Sequence, residues 1–338
     1  MPISCARDNE EMRQTLDERR CDLPAVSVLL PTHNRPEWLN RALKSVLAGD
    51  YEDFEVIVSN NGRPEDSREL EQRINDPRVR WTEQPQDTSP LKNVLAALSL
   101  ARGRFATVLH DDDWWDSHFL ATLVPQLESH RALVAAFASP WWVTEDGQID
   151  HRLSDELNRA SGRAALAPGL HQPFHALAVS EEVPIPGCVF RREALPPDSF
   201  PDEVGTAWDV WAGYLLAATD GAVYFCPERL VYLTQHANSD LALAGTRNSL
   251  AAAYCQRQIL RDPRMSAHRG ELIRRLAVRE QSIGASLLRQ GHRDPARRHL
   301  SAALRRRATA KGLIAWGASW VVPRSLLILA AALERYAR

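Results

Sequence analysis

Between residues 26 and 110 the hydrophobic pattern switches repeatedly between two periods. VSVLLP (26–31), FEVIVS (54–59), RVRWTE (78–83) and RFATVLH (104–110) are short and rich in apolar or β-branched residues, which predicts strands. The intervening PEWLNRALKSVLAG, EDSRELEQRI and PLKNVLAALSLARG repeat apolar residues at three and four, the helical spacing. Two of these helices run out at Gly49 and Gly103, where a left-handed C-terminal cap is expected. Alternating strands and helices can cover both faces of every strand only as a largely parallel α/β sheet of Rossmann-like type, flanked by helices.

Downstream the pattern is less regular. LVAAFASPWWVTEDG predicts a strand and a turn, GCVFRR (187–192) another strand, and LPPDSFPDEVG a loop. TAWDVWAGYLLAATDG (206–221) has helical spacing with Asp209 near its start, and AVYFCP and RLVYLTQH predict two further strands. From about 240 only helix is expected, and residues 277–307 read as one helical hairpin about a glycine turn, not as a repeat array. The organisation predicted is a charged segment at 1–24, an α/β domain at 25–240 and a C-terminal helical region at 241–338.

Bulk properties exclude several classes. With 41 basic and 43 acidic side chains in 338 residues the net charge is only −2, so no global attraction to nucleic acid is expected. The five cysteines lie too far apart in sequence for a CxxC zinc pair or a disulfide framework, and read as free thiols. Residues 1–22 are charged throughout and lack the apolar core of a signal peptide, so a cytoplasmic protein is expected. LIAWGASWVVPRSLLILAAAL (313–333) approaches the length of a bilayer span, but Pro323 and Arg324 interrupt it, and a central charge costs about 2.5–3.5 kcal/mol on insertion scales. Two packed helices or an interfacial anchor are expected there, making the C-terminal helices the place for a peripheral membrane contact or a homodimer contact.

In parallel sheets, ligands bind where the carboxyl ends of the strands converge with helix N-termini. Here those positions carry THNR (32–35), NNGR (60–63) and HDDDWW (110–115). Three adjacent aspartates raise one another's pKa values unless a cation compensates, and Mg²⁺ or Mn²⁺ bridging to a diphosphate is the natural compensator. Capping of the helix SHFLATLVPQLESH by Asp113 or Asp116 accounts for one carboxylate and leaves two. DDWWD also has the lettering of the DDxxD motif of isoprenyl diphosphate synthases, and His110-Asp111 that of metal phosphohydrolases, but those motifs sit on helices of all-helical folds.

A longer resemblance covers residues 25–240. VSVLLPTHNRPEWLNRALKSVLAGDYEDFEVIVSNNG, KNVLAALSLARGRFATVLHDDDWW, TAWDVWAGYLLA and RLVYLTQHANS, in that order, resemble the family 2 inverting glycosyltransferases of GT-A fold. The resemblance implies a nucleotide-sugar site using Pro31, Thr32, Asn34 and Arg35, then Lys92 and Asn93, with Asp111 and Asp112 near the donor. Asn60 and Asn61 stand where relatives carry an acid that meets the nucleobase. An amide can still pair with a base edge, but the expectation of a UDP-sugar is weakened.

Residues 111–113 match the DxD metal motif, which implies Asp113 as direct ligand of Mn²⁺ or Mg²⁺ and Asp111 as the next candidate; His110 replaces a frequent aspartate. Asp209 matches the catalytic base, and Trp114, Trp208 and Trp211 are candidates for a sugar or acceptor platform, with core packing as the competing role. His236, Asn238 and Ser239 match a late motif near the diphosphate, with Thr234 in place of a common arginine. The activity implied is metal-dependent inverting transfer to an acceptor whose identity is unspecified. The alternatives are a nucleotide-sugar-binding protein that has lost catalysis, suggested by Asn60, His110 and Thr234, and a metal-dependent phosphohydrolase.

Overall fold

The computed structural model describes residues 23–86, 88–236 and 240–321. Internal contacts separate two units. The first takes the chain up to Pro140 with Ile185–Pro197 and Glu228–Leu233, and the second takes Trp141–Pro184, Asp198–Pro227 and the chain from Thr234 onward.

The first unit begins β1 (Val26–Thr32), α1 (Pro36–Leu47), β2 (Phe54–Asn60), α2 (Pro64–Arg73), β3 (Val79–Glu83), α3 (Pro90–Leu100) and β4 (Phe105–Val108), the alternation the sequence predicts. In chain order, across both units, there follow β5 (Trp114–Trp115), α4 (Phe119–Ser129), β6 (Leu133–Val143), α5 (His151–Ala160), β7 (Gly169–His171), α6 (His175–Val179), β8 (Cys188–Arg191), α7 (Trp208–Ala217) and β9 (Ala222–Thr234). β1 pairs in parallel with β2 and β4, and β2 with β3. β8 then runs antiparallel between β4 and β6, giving the order β3-β2-β1-β4-β8-β6. β2 and β4 are buried at every residue, as strands covered on both faces must be. Helix α1 supplies part of that cover with Leu39, Ala42, Leu43 and Val46, a stripe at the helical period behind Pro36 at its N-terminus.

One buried carboxylate ties the strands together. Glu55 on β2 accepts hydrogen bonds from the Ser27 hydroxyl at 2.8 Å, the Arg102 backbone N–H at 2.8 Å and the Arg80 guanidinium at 2.9 Å. Burial alone would raise its pKa, but these donors and the Arg102 side chain outweigh it and hold the carboxyl below the usual glutamate range. A depressed folded pKa means the contribution is present above the unfolded pKa and is lost as pH falls through the folded value. Glu55→Gln is therefore expected to cost about 1–3 kcal/mol near neutral pH, at the low end if the partly exposed arginines are well solvated. Urea melts should show the gap between variant and parent narrowing as the pH is taken below about 4.

Two expectations are corrected. Gly49 and Gly103 are not left-handed. Gly103 is needed for close approach instead: a Cβ there would lie 2.6 Å from the Ser27 nitrogen of β1. The stretches AVYFCP and RLVYLTQH form one strand, β9, whose exposed Pro227 lies between the part paired with β7 and the part paired with β5, where no ladder donor is required. Helix α5 lies in a stretch for which the sequence predicts no element. Asp150 caps it, accepting from the Leu153 N–H at 2.9 Å, and its buried positions are the polar Ser154 and Asn158 beside half-buried Leu153 and Leu157, so its apolar stripe is only two residues long.

The second unit is helical beyond β9, with α8 (Asp240–Ile259), α9 (Arg269–Arg289), α10 (Arg293–Arg306) and α11 (Ala310–Val321). The expected hairpin is α9 and α10 about Gly291. Ala253, Leu276 and Ile283 form an apolar cluster between α8 and α9. Buried Glu280 accepts from Arg257 of α8 at 2.9 Å and pairs with His299 of α10, linking three helices. Among the described residues no helix is long and apolar enough to cross a membrane; residues 322–333 of the apolar stretch lie outside them.

Candidate active site

Strand register places the polar clusters side by side. Thr32 stands opposite Asn60, and Asn60 opposite Glu83, at the carboxyl ends of β1, β2 and β3. β4 ends at Val108 opposite Leu29, and Leu109 continues the pairing by donating its N–H to the Leu29 carbonyl at 2.9 Å. The next residues therefore run beside the end of β1, where the Thr32 hydroxyl and the His33 N–H donate to Asp111 Oδ2 at 2.8 and 3.3 Å.

Part of the aspartates' charge is compensated from within the chain. The Arg35 guanidinium donates to Asp111 Oδ1 at 3.3 Å and Asp112 Oδ2 at 3.0 Å. Arg41 on α1 donates to the Asp112 carbonyl at 2.9 Å while its guanidinium lies 4.0 Å from the centre of the Trp114 ring. Trp114 in turn stacks on Tyr232 with ring centres 5.2 Å apart. Burial, reinforced by the neighbouring Asp112, pushes the Asp111 carboxyl up to about 6 against the pull of Arg35, Thr32 and His33.

A second group overlaps this network at Asp112. His110, Asp112 and Asp113 each offer a ligand atom, and these atoms all lie within 4.8 Å of one another, so the three can hold a divalent cation. An imidazole beside two carboxylates suits Mn²⁺ better than Mg²⁺, which favours all-oxygen sites. Asp113 is in the group. Asp111 is outside it, with His110 in its place. Asp116 accepts the His118 N–H at 3.0 Å just ahead of α4, so the helix-start role falls to Asp116 and not to Asp113.

Around this edge the asparagines work as fasteners. Buried Asn60 accepts from the Gly62 N–H at 2.8 Å and turns its NH₂ toward the Arg63 carbonyl, Ser67 and Glu83 at 3.0–3.1 Å. Asn93, on α3, accepts from Ser59 at 2.7 Å and donates to Asn61 at 3.1 Å. Asn34, at a φ of 56°, accepts the Arg63 N–H at 2.7 Å, and a Cβ on Gly62 would meet its Oδ1 at 2.4 Å. Lys92 is exposed on the first turn of α3, and Pro31 is half-buried in β1.

The remaining candidates belong to the second unit. Asp209 is exposed in the first turn of α7. Trp208 and Trp211 beside it are only 7% and 9% exposed, and the Trp211 indole N–H donates to the Ser199 carbonyl at 2.8 Å, so both are chiefly packing residues of that helix. Trp114 is the more open ring of the three. Thr234 is buried and His236 half-buried, while Asn238 and Ser239 lie outside the described residues.

Residues 27–192 match the family described as Glycosyl transferase family 2. They form a family 2 glycosyltransferase domain. A similar curated protein is the GalNAc(5)-diNAcBac-PP-undecaprenol β-1,3-glucosyltransferase of Campylobacter jejuni, 35% identical over 115 residues, which are 33% of this chain and 37% of that protein. The chain thus spans well under half the length of that relative. Among solved structures, S. aureus TarS 1–349 in complex with UDP-GlcNAc shares the fold with a TM-score of 0.66 and 16% identity, over 87% of this chain and 90% of that one. The mannosyltransferase PcManGT of Pyrobaculum calidifontis, in complex with GDP-Man and Mn²⁺, does so with a TM-score of 0.57 and 19% identity, over 94% and 88%. The fold is GT-A.

Within the glycosyltransferase domain, the sequence did not single out Trp38, Arg41 and Ser45. Their spacing on α1 puts them on one face, and that face meets the aspartate loop: Arg41 through the Asp112 carbonyl, Ser45 by accepting the Trp115 N–H at 3.2 Å. The i, i+3, i+7 spacing was the available signal.

Proposed function

We propose that the protein is a metal-dependent, inverting glycosyltransferase that moves a sugar from a nucleotide-diphosphate sugar to an acceptor hydroxyl. The observation that carries this is the His110, Asp112 and Asp113 group on the loop after β4, beside the Thr32–Arg35 turn, inside a family 2 domain. TarS and PcManGT, which share the fold, were crystallised with UDP-GlcNAc and with GDP-Man and Mn²⁺ respectively. A divalent cation held by the three residues would neutralise the departing diphosphate and act as Lewis acid. Arg35 and Arg41 fix the loop that carries the ligands, and Arg35 offers donor hydrogen bonds to phosphate oxygens.

Inversion requires a base on the face of the sugar opposite the leaving group, acting as oxocarbenium character develops at the anomeric carbon. Asp209 is assigned that role from its match to the family's catalytic aspartate, and its exposed carboxylate is consistent with it. UDP-sugars are the donors to test first and GDP-sugars second, because Asn60 spends its amide inside the β2 loop. Lipid-linked glycans belong among the acceptors tested, given the acceptor named for the Campylobacter relative.

Donor hydrolysis or transfer should require metal. Activity is expected to fall to background in EDTA and to return with Mn²⁺ more fully than with Mg²⁺. Undiminished turnover in EDTA would exclude the metal role. Nucleotide-sugar binding without turnover is the second reading; it rests on the inward-turned Asn60 and predicts tight, Mn²⁺-strengthened binding across a broad acceptor panel with no product.

A further inference from the structure

The last described helix is amphipathic the wrong way round for a helix packed into a core. On α11 the small or polar Gly312 and Ser319 are buried, whereas Leu313, Ile314 and Trp320 are more than half exposed and Trp316 is exposed beside them. Leu313, Trp316 and Trp320 fall on one helical face at i, i+3 and i+7, with Ile314 exposed on the adjoining side, and the Trp316 and Trp320 rings meet edge to face with centres 5.9 Å apart. The neighbouring chain is strongly basic: residues 289–311 hold Arg289, Arg293, Arg297, Arg298, Arg305, Arg306, Arg307 and Lys311 against one acid, Asp294, in a protein of net charge −2. Arg297 lies over the Trp320 ring at 4.1 Å, so cation and aromatic share one surface.

We infer that α10 and α11 form a docking surface for an anionic lipid bilayer. Two features on the same surface select this occupant. A second copy of the chain meeting the face about a two-fold axis would set its arginines against one another. A nucleic acid would satisfy the cations but leave Leu313 and Ile314 uncovered. An anionic headgroup layer answers the arginines, the acyl boundary accepts the aliphatic face, and tryptophans favour the interface between them. Among the described residues no helix is long and apolar enough to cross a membrane, and α11 is taken to lie in the interface. The inference does not rest on the reaction proposed above.

The test is flotation of the full-length protein with vesicles of about 30 mol% phosphatidylglycerol in phosphatidylcholine, against pure phosphatidylcholine, at about 50 and about 500 mM salt. Binding is expected on the anionic vesicles at low salt only. The doubly substituted Ile314→Ser/Trp320→Ser protein and, separately, Arg305→Gln/Arg307→Gln should each lower the bound fraction roughly ten-fold with unchanged melting temperature. Both pairs are surface changes, so one tests the inference if the other disturbs folding. Three results would overturn it: no partitioning onto anionic vesicles at low salt, equal binding to both vesicle types, or sedimentation showing a dimer that Ile314→Ser/Trp320→Ser dissociates.

Discussion

Asp209→Asn is expected to lower sugar transfer by about 10²–10⁴-fold while leaving donor and metal binding unchanged. The amide keeps the size and polarity of the carboxylate but cannot take the proton of the attacking hydroxyl, so a base lost in this way appears in kcat. Asp209 is exposed, and the neighbouring Trp208 and Trp211 carry the packing of α7, so the substitution should not disturb the fold. A melting curve checks that directly. Activity within about three-fold of the parent would remove Asp209 from the mechanism, since general-base losses are far larger.

The second large effect concerns the metal loop and separates Asp113 from Asp111, the first and second ligand candidates of the sequence. Asp113→Ala is expected to weaken Mn²⁺ binding by at least about 100-fold, because loss of a direct ligand should exceed the 10–100-fold typical of outer-sphere partners. Asp111→Asn should retain Mn²⁺ binding, since Asp111 accepts from Thr32, His33 and Arg35 and lies outside the His110, Asp112 and Asp113 group. Electron paramagnetic resonance of free Mn²⁺ reads both variants on one scale. Loss of Mn²⁺ in Asp111→Asn with retention in Asp113→Ala would reverse the assignment.

Residues 26–108 were legible because the central strands are short, mostly apolar segments and helices α1 and α3 show apolar stripes. That legibility ends where local rules are overruled by tertiary contacts. Pro227 divides β9 in sequence but not in space, because its exposed position needs no donor. Gly103 looked like a helix cap and proved to be a point where the backbone passes against β1.

The site was legible as polar clusters following strands, and the register of β1, β2 and β4 gathers them at one edge. What the linear pattern could not supply was the division of labour within it. Three consecutive aspartates are alike in sequence, yet Asp111 is held by Thr32 and Arg35, Asp113 stands with His110, and Asp112 belongs to both groups. Arg41, contributed by a helix some seventy residues upstream, brings a second guanidinium to the loop by donating to the Asp112 carbonyl.

The most direct measurement is a thermal-shift panel of nucleoside diphosphates with and without Mn²⁺, run on the parent protein and on Asp113→Ala. At about 100 times its dissociation constant a ligand of the native state adds about 2.7 kcal/mol, enough for a clear rise in Tm. UDP or another nucleoside diphosphate should raise the Tm of the parent with Mn²⁺, less without it, and fail to do so in Asp113→Ala. If no nucleotide stabilises the parent protein in either condition, the nucleotide-sugar transferase assignment is wrong.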